Sequence, residues 1–244
     1  MRVLIISDIH SNYVALETVL SCAGSFDQLW NLGDTIGYGP CPNECMASMR
    51  KLATVMIAGN HDLACLGKID LNDFNPDARS ANLWNGEQLK TDHRAELEAL
   101  PPKKEVDERF MVAHGSPREP VWEYMLSSAQ ARINFALFEN QVCFIGHSHV
   151  PLVFFEHRQG HHDEAVILKA GQTIELDEKQ RYFINPGSVG QPRDQDPRSS
   201  YAILDTDANT VRLNRVEYDI AKTQRQMREA RLPSALIRRL EYGM

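Results

Sequence analysis

The sequence predicts an α/β protein in which two β-sheets pack on one another and carry helices on their outer faces. Three observations lead there. Short apolar runs alternate with helix-like segments through the first sixty residues, strand-like segments dominate from residue 109 onward, and ligand-type side chains follow five of the apolar runs. A βαβαβ rhythm implies a parallel sheet covered by helices, and a second sheet packed on the first houses the later strands most economically.

Residues 1–7 form a continuous apolar run of the kind that fills a strand covered on both faces. Residues 12–22 place Val14, Leu16, Val19 and Leu20 at roughly helical spacing. A second strand is expected over 28–32, ending in Gly33-Asp34, then a helix over 42–52 and a third strand over 54–58. Residues 63–100 lack a strong strand pattern and read as a helical insertion at the rim of the sheet, in pieces over 78–89 and 91–100, until Pro101-Pro102 stops the helix. Strand patterns follow at 109–113, 141–145, 152–156, 165–168, 173–176, 181–184, 201–205 and 210–216, with one helix near 128–138. A helical tail over about 219–244 is split by Pro233. With no repeat, low-complexity tract or linker, residues 1–244 are expected to form one domain.

Composition narrows the function classes. The hydrophobic share of 43% is ordinary for a globular protein. No apolar run is long enough to cross a bilayer, and the N-terminal run is too short for a secretory signal, so no membrane partner is expected. Five cysteines, an odd number, do not suggest a disulfide framework, which makes a cytoplasmic setting the default. A net charge of −7 argues against a stable nucleic-acid partner, which needs a basic footprint. The charge is uneven: residues 212–239 hold eight Lys or Arg against three Asp or Glu, expected as a solvated helix face or, alternatively, as a surface that docks on the acidic body or on a partner. An oligomer is compatible with all of this.

Five apolar runs end in ligand-type residues: Ser7-Asp8-Ile9-His10, Gly33-Asp34, Gly59-Asn60-His61-Asp62, His114-Gly115 and Gly146-His147-Ser148-His149. The carboxyl ends of strands in an open α/β sheet form its binding edge, and five of the nine histidines fall there. Each piece alone has a bland reading: a lone Asp caps the next helix, a lone Asn-His makes a turn, and a lone His114 sits satisfied in a core. Asp8 with His10, and His147 with His149, are stronger, because residues two apart in extended chain point to one side.

Taken together, D-x-H, G-D, G-N-H-D, H-G and G-H-S-H resemble the five-block signature of the calcineurin-like metallophosphoesterases. The stretch Asn185-Pro-Gly-Ser-Val-Gly-Gln-Pro-Arg193 further resembles small bacterial phosphodiesterase-type members. The resemblance implies a four-layer αββα fold and two divalent metal ions. Asp8, His10 and His149 would hold the first, Asn60, His114 and His147 the second, and Asp34 would bridge both. Mixed nitrogen and oxygen donors give little selectivity; manganese is the first choice, with iron, zinc, nickel or magnesium as alternatives. The implied reaction is attack of a metal-bound hydroxide on a phosphodiester or a small-molecule phosphomonoester, with His61 as general acid. Asp62 would either fix the His61 tautomer or cap a helix.

Weaker candidates surround this set. Tyr38, in a Gly- and Pro-rich loop after Asp34, is either a substrate contact or structural. Arg193 is either a phosphate clamp or a surface residue paired with Asp194 or Asp196. Cys41 and Cys45 read as ordinary helix-start residues rather than a metal pair, and His161-His162 as an exposed hairpin tip. Protein Ser/Thr phosphatases follow the bridging Asp with D-R-G, whose Arg grips phosphate; here the stretch is Gly33-Asp34-Thr35-Ile36-Gly37-Tyr38-Gly39 and that Arg is missing, which weighs against a phosphoprotein substrate. A protein phosphatase, a dinucleoside polyphosphate hydrolase and an inactive scaffold, which would be expected to have eroded ligands, are the alternatives.

Overall fold

The computed structural model describes residues 1–157 and 166–244; the proposed hairpin tip at His161-His162 lies outside them. Strands β1 (Arg2–Ile6), β2 (Gln28–Asn31) and β3 (Val55–Met56) run parallel, linked by α1 (Tyr13–Cys22) and α2 (Pro42–Leu52). After them come α3 (Asn60–Cys65), α4 (Pro76–Gln88) and α5 (Thr91–Glu98), the helical segment expected between the early and late strands. Strands β4 (Lys103–Glu105), β5 (Phe110–Ala113), β6 (Val142–Ile145), β7 (Leu152–His157), β8 (Val166–Ile167) and β10 (Gln180–Asn185) form a second six-stranded sheet in the order β4-β5-β6-β10-β7-β8.

One expectation changes here. Three late strands, β9 (Thr173–Glu175), β11 (Ser199–Asp205) and β12 (Thr210–Val216), do not join the second sheet; they complete the first, in the order β3-β2-β1-β11-β12-β9. Strand β1 pairs antiparallel with β11, Leu4 opposite Ile203. Sequence alternation shows that a strand exists but not which edge receives it. Strand β4, Lys-Lys-Glu, is fully exposed at an edge and has no apolar alternation to reveal it.

Period-two alternation sets the layers. Val3, Ile5 and Trp30 face Phe110, Val112, Phe144, Tyr182 and Ile184 of the other sheet, with Trp30 5.6 Å from Phe110. Leu4, Ile6 and Leu29 face the opposite way and pack on Val14, Leu16 and Val19 of α1. On the far side, Met111, Cys143, Ile145 and Phe183 pack on Ala131 and Phe135 of α6 (Ser128–Phe135). The tail folds as α7 (Ile220–Glu229) and α8 (Ser234–Arg239). It is more than a solvated basic face: Met227, Leu232, Leu236, Ile237 and Leu240 pack with Tyr38, Phe74, Ala78 and Ala81. Among the described residues no helix is long and apolar enough to cross a membrane.

Candidate metal centre

All five motif segments meet at one point, where the loops leaving β1, β2, β5 and β6 face the first turn of α3. Within that point lie two donor clusters, Asp8–His10–Asp34–His149 and Asp34–His114–His147, with the ligand atoms of each within 4.8 Å of one another. Asp34 belongs to both. Asn60, at the start of α3, sets its Oδ1 3.1 Å from His114 Nε2, on the second cluster.

The convergence has a different cause from the one the spacing suggested. Asp8 and His10 are not in extended chain, and neither are His147 and His149: all four have φ between 50° and 64°, as do Asp34 and Tyr38. Of the ten non-glycine residues with positive φ among the described residues, seven lie at or beside the centre. Left-handed backbone costs roughly 1–2 kcal/mol per residue, so its concentration here reads as strain held for function. Backbone hydrogen bonds hold the loops in this shape, Asp8 N to Gly33 O at 3.1 Å and His10 N to Asp34 O at 2.9 Å. Gly59 is required by close approach, because a Cβ there would collide with the Asp34 carboxylate.

Backbone carbonyls orient three of the rings. His149 Nδ1 donates to Gln191 O at 2.5 Å, His114 Nδ1 to Leu32 O at 2.9 Å and His147 Nε2 to Trp122 O at 3.2 Å. In each case the outward nitrogen carries a proton and the other nitrogen is turned inward. The carboxylates are fixed by one oxygen each: His147 N donates to Asp8 Oδ2 at 3.1 Å, and His61 N to Asp34 Oδ1 at 2.8 Å. Their other oxygens, Asp8 Oδ1 and Asp34 Oδ2, are buried without a hydrogen-bond partner among the described residues. Asp34 Oδ2 lies 3.6 Å from His10 Nε2 and 3.4 Å from His114 Nε2, and Asp8 Oδ1 lies 3.3 Å from His149 Nε2. His10 Nε2 and His149 Nε2 face each other at 3.0 Å.

Electrostatics point the same way. Burial, reinforced by Asp34, lifts the Asp8 carboxyl to about 7. Burial would also lift Asp34, but His114, His61 and His147 hold it below its ordinary value. Against the downward push of burial, Asp34 and Asp8 lift His114 to about 9. Burial keeps His10 and His149 well below their ordinary value and brings His147 to about 3. A dication among these donors would ionise Asp8, neutralise His114 and use the lone pairs that burial already keeps unprotonated. The donor set therefore fits divalent metal ions, and with no thiolate in it a structural zinc site is disfavoured.

His61 lies outside both clusters. Its ring sits 4.2 Å from Tyr38, 4.8 Å from His10 and 5.0 Å from Phe74, and burial lowers it to about 4. Its Nδ1 is 2.8 Å from Asn82 Oδ1 on α4, so Asn82, not Asp62, sets the tautomer. Asp62 instead accepts from Gly59 N at 2.9 Å and Ile36 N at 3.0 Å, which caps α3 and ties it to the loop after Asp34. Arg193 does not pair with its acidic neighbours: Asp194 binds Arg215 and Asp196 binds Arg198. It turns instead to Tyr38 Oη at 3.3 Å and Gln191 Oε1 at 3.1 Å. Cys41 and Cys45 are free thiols, one at the cap and one within α2. Sequence reasoning missed Asn82 and its neighbour Asn85, which accepts from Ser11 Oγ at 2.6 Å and Gly37 N at 3.2 Å. Two asparagines three residues apart on one helix were the only signal of it.

A metal-dependent hydrolase is the class that this layered fold and this shared carboxylate define. The chain belongs to the calcineurin-like phosphoesterase superfamily, whose domain model matches residues 1–209. It is thus a metal-dependent phosphoric ester hydrolase. It is 48% identical to a metallophosphoesterase from Sphaerobacter thermophilus, whose crystal structure superposes with a TM-score of 0.91 over 100% of this chain and 99% of that one. It is 37% identical to the uncharacterized protein MJ0912 of Methanocaldococcus jannaschii, over 99% of this chain and 98% of the relative. The hypothetical protein PH1004 from Pyrococcus horikoshii OT3 shares the fold, with a TM-score of 0.79 at 18% identity over 100% of this chain and 98% of that one.

Proposed function

We propose that the protein hydrolyses phosphodiesters or phosphomonoesters of small molecules, with one divalent ion held by Asp8, His10 and His149, a second by Asn60, His114 and His147, and Asp34 shared between them. The observation that carries this reading is that Asp34 alone belongs to both donor clusters. Such a pair of ions supplies positive charge to phosphoryl oxygens and lowers the pKa of water. His61 then serves as the acid that gives the leaving oxygen its proton, its ring held by Asn82 through Nδ1 and its Nε2 left to act. A buried imidazole lowered to about 4 regains its proton most readily beside an incoming phosphate anion. Arg193 offers a planar guanidinium to phosphate oxygens, positioned by Gln191 and Tyr38. Manganese remains the first choice of ion, and five free cysteines fit a reducing compartment such as the cytoplasm.

A phosphoprotein substrate fits less well. His10, His147 and His149 are each 2% exposed or less, and the D-R-G arginine that protein phosphatases carry after the bridging Asp is missing from residues 33–39 here. The test is turnover of p-nitrophenyl phosphate, bis-p-nitrophenyl phosphate, a phosphopeptide and diadenosine tetraphosphate after chelation and manganese add-back. Metal-dependent turnover of either nitrophenyl ester is expected. Turnover of the phosphopeptide alone, or of nothing with any divalent ion, defeats the proposal.

A further inference from the structure

The C-terminal helix brings a second guanidinium to the edge of the centre. Arg239, the last residue of α8, has its Cζ 4.5 Å from the centroid of the Tyr38 ring, and Arg193 has its Cζ 5.8 Å from the same centroid. Tyr38 in turn lies 4.6 Å from His10 and 4.2 Å from His61. Arg193 is the inner of the two, its charge felt by Asp8, His61 and His147. Arg239 is the outer, felt after Arg193 by His10 and His149.

Neither arginine has a carboxylate partner in contact among the described residues. Among the described residues neither forms an ion pair, although Arg118, Arg181, Arg198 and Arg215 all do. Arg193 Nε and Arg239 Nε and Nη2 are buried with no hydrogen-bond partner among the described residues. Burial and the nearby Arg193 both work against the Arg239 charge, which Tyr38 and, less, Asp77 support. Burying two guanidinium groups beside one ring, without an ion pair and with N–H groups left over, is unfavourable unless an anion satisfies them. Nor do they balance the metal centre. Two dications less Asp8, Asp34 and a metal-bound hydroxide leave roughly one positive charge, which one phosphate dianion more than neutralises. The two guanidiniums raise the total to roughly three, more than one phosphate dianion carries, which calls for further negative charge on the ligand.

We propose that Arg239, with Arg193 shared between the two phosphates, forms a subsite for a second phosphoryl group of the substrate, distinct from the one being hydrolysed. The substrates of this enzyme are then small phosphate esters that carry at least two phosphates. This inference rests on the phosphoesterase reading above and narrows its substrate class.

The test uses two phosphomonoesters that differ only in the second phosphate, adenosine 5′-monophosphate and adenosine 3′,5′-bisphosphate, with phosphate release followed on the manganese-loaded protein. Wild type is expected to favour the bisphosphate in kcat/KM by about tenfold or more, as a charge-assisted contact allows. Arg239→Gln should erase most of that preference, and Arg239→Lys should restore part of it. Arg238→Gln, at an exposed neighbour, controls for folding and net charge. Independently of turnover, calorimetry of inorganic pyrophosphate on the chelated protein should show binding that weakens about tenfold or more in Arg239→Gln. A preference unchanged in Arg239→Gln, or absent from wild type, overturns the inference, as does pyrophosphate binding equal in both proteins. Failure to turn over the nucleotides and both nitrophenyl esters with any divalent ion, while pyrophosphate binding still depends on Arg239, would defeat the hydrolase reading and leave the anion subsite standing.

Discussion

Replacing His61 by Gln removes the proposed proton donor while keeping a polar side chain of similar length between Tyr38, His10 and Phe74. The wild-type ring holds Asn82 Oδ1 through Nδ1 at 2.8 Å, so only Nε2 remains to face a leaving group. A positioned general acid is worth typically ~10²–10⁴-fold, or about 3–5 kcal/mol of barrier, when the departing oxygen is basic. It is worth much less when that oxygen leaves readily as a stabilised anion. His61→Gln should therefore lower kcat on glycerol 3-phosphate by roughly 10²-fold or more, and on p-nitrophenyl phosphate by a far smaller factor. Asn82→Ala breaks one hydrogen bond of about 1 kcal/mol and should cost roughly fivefold on glycerol 3-phosphate. The assay is phosphate release from both esters at saturating manganese, with melting curves confirming that the variants are folded. Equal losses on the two esters would refute a proton-donating His61 and leave it a positioning residue.

Other expectations follow from the same geometry. Asp34→Asn should abolish the second equivalent of manganese in a calorimetric titration and lower turnover at least ~10²-fold, because it alone serves both clusters. Gly59→Ala should displace the Asp34 carboxylate and weaken metal binding more than it lowers the melting temperature, readable from the same titration and a thermal scan. The chelated protein should lose stability as pH rises from about 6.5 to about 9. His114 is lifted from 6.5 to about 9, so its stabilisation is complete below the lower value and gone above the upper one. The loss is on the order of 3 kcal/mol. Manganese should flatten it, because a ligated imidazole is neutral throughout. A melting temperature that rises across this range would contradict the assignment.

The layers and the donors were legible in the sequence for related physical reasons. Continuous apolar runs at 3–6 and 110–113 suit strands covered on both faces, and turns or helix caps alone do not account for five polar clusters that each follow an apolar run. What stayed concealed depends on contacts distant in sequence. The pairing of β1 with β11 joins residues about two hundred positions apart, and an isolated strand pattern carries no address. The left-handed backbone at Asp8, His10, His147 and His149 was equally hidden, since Asp and His tolerate it without a glycine to announce it. Asp62 stayed ambiguous because its partners, Gly59 N and Ile36 N, are backbone groups. Asn82 was invisible as the partner of His61, for it is one polar residue on a helix of the segment after the motif. Arg239 vanished into a basic tail whose charge pattern suits a solvated face.

Anomalous diffraction from crystals grown with manganese addresses the shared carboxylate most directly. Two peaks about 3.5–4 Å apart are expected, one beside Asp8, His10 and His149, the other beside Asn60, His114 and His147, with Asp34 touching both. A single peak, or ions found away from Asp34, would contradict the account.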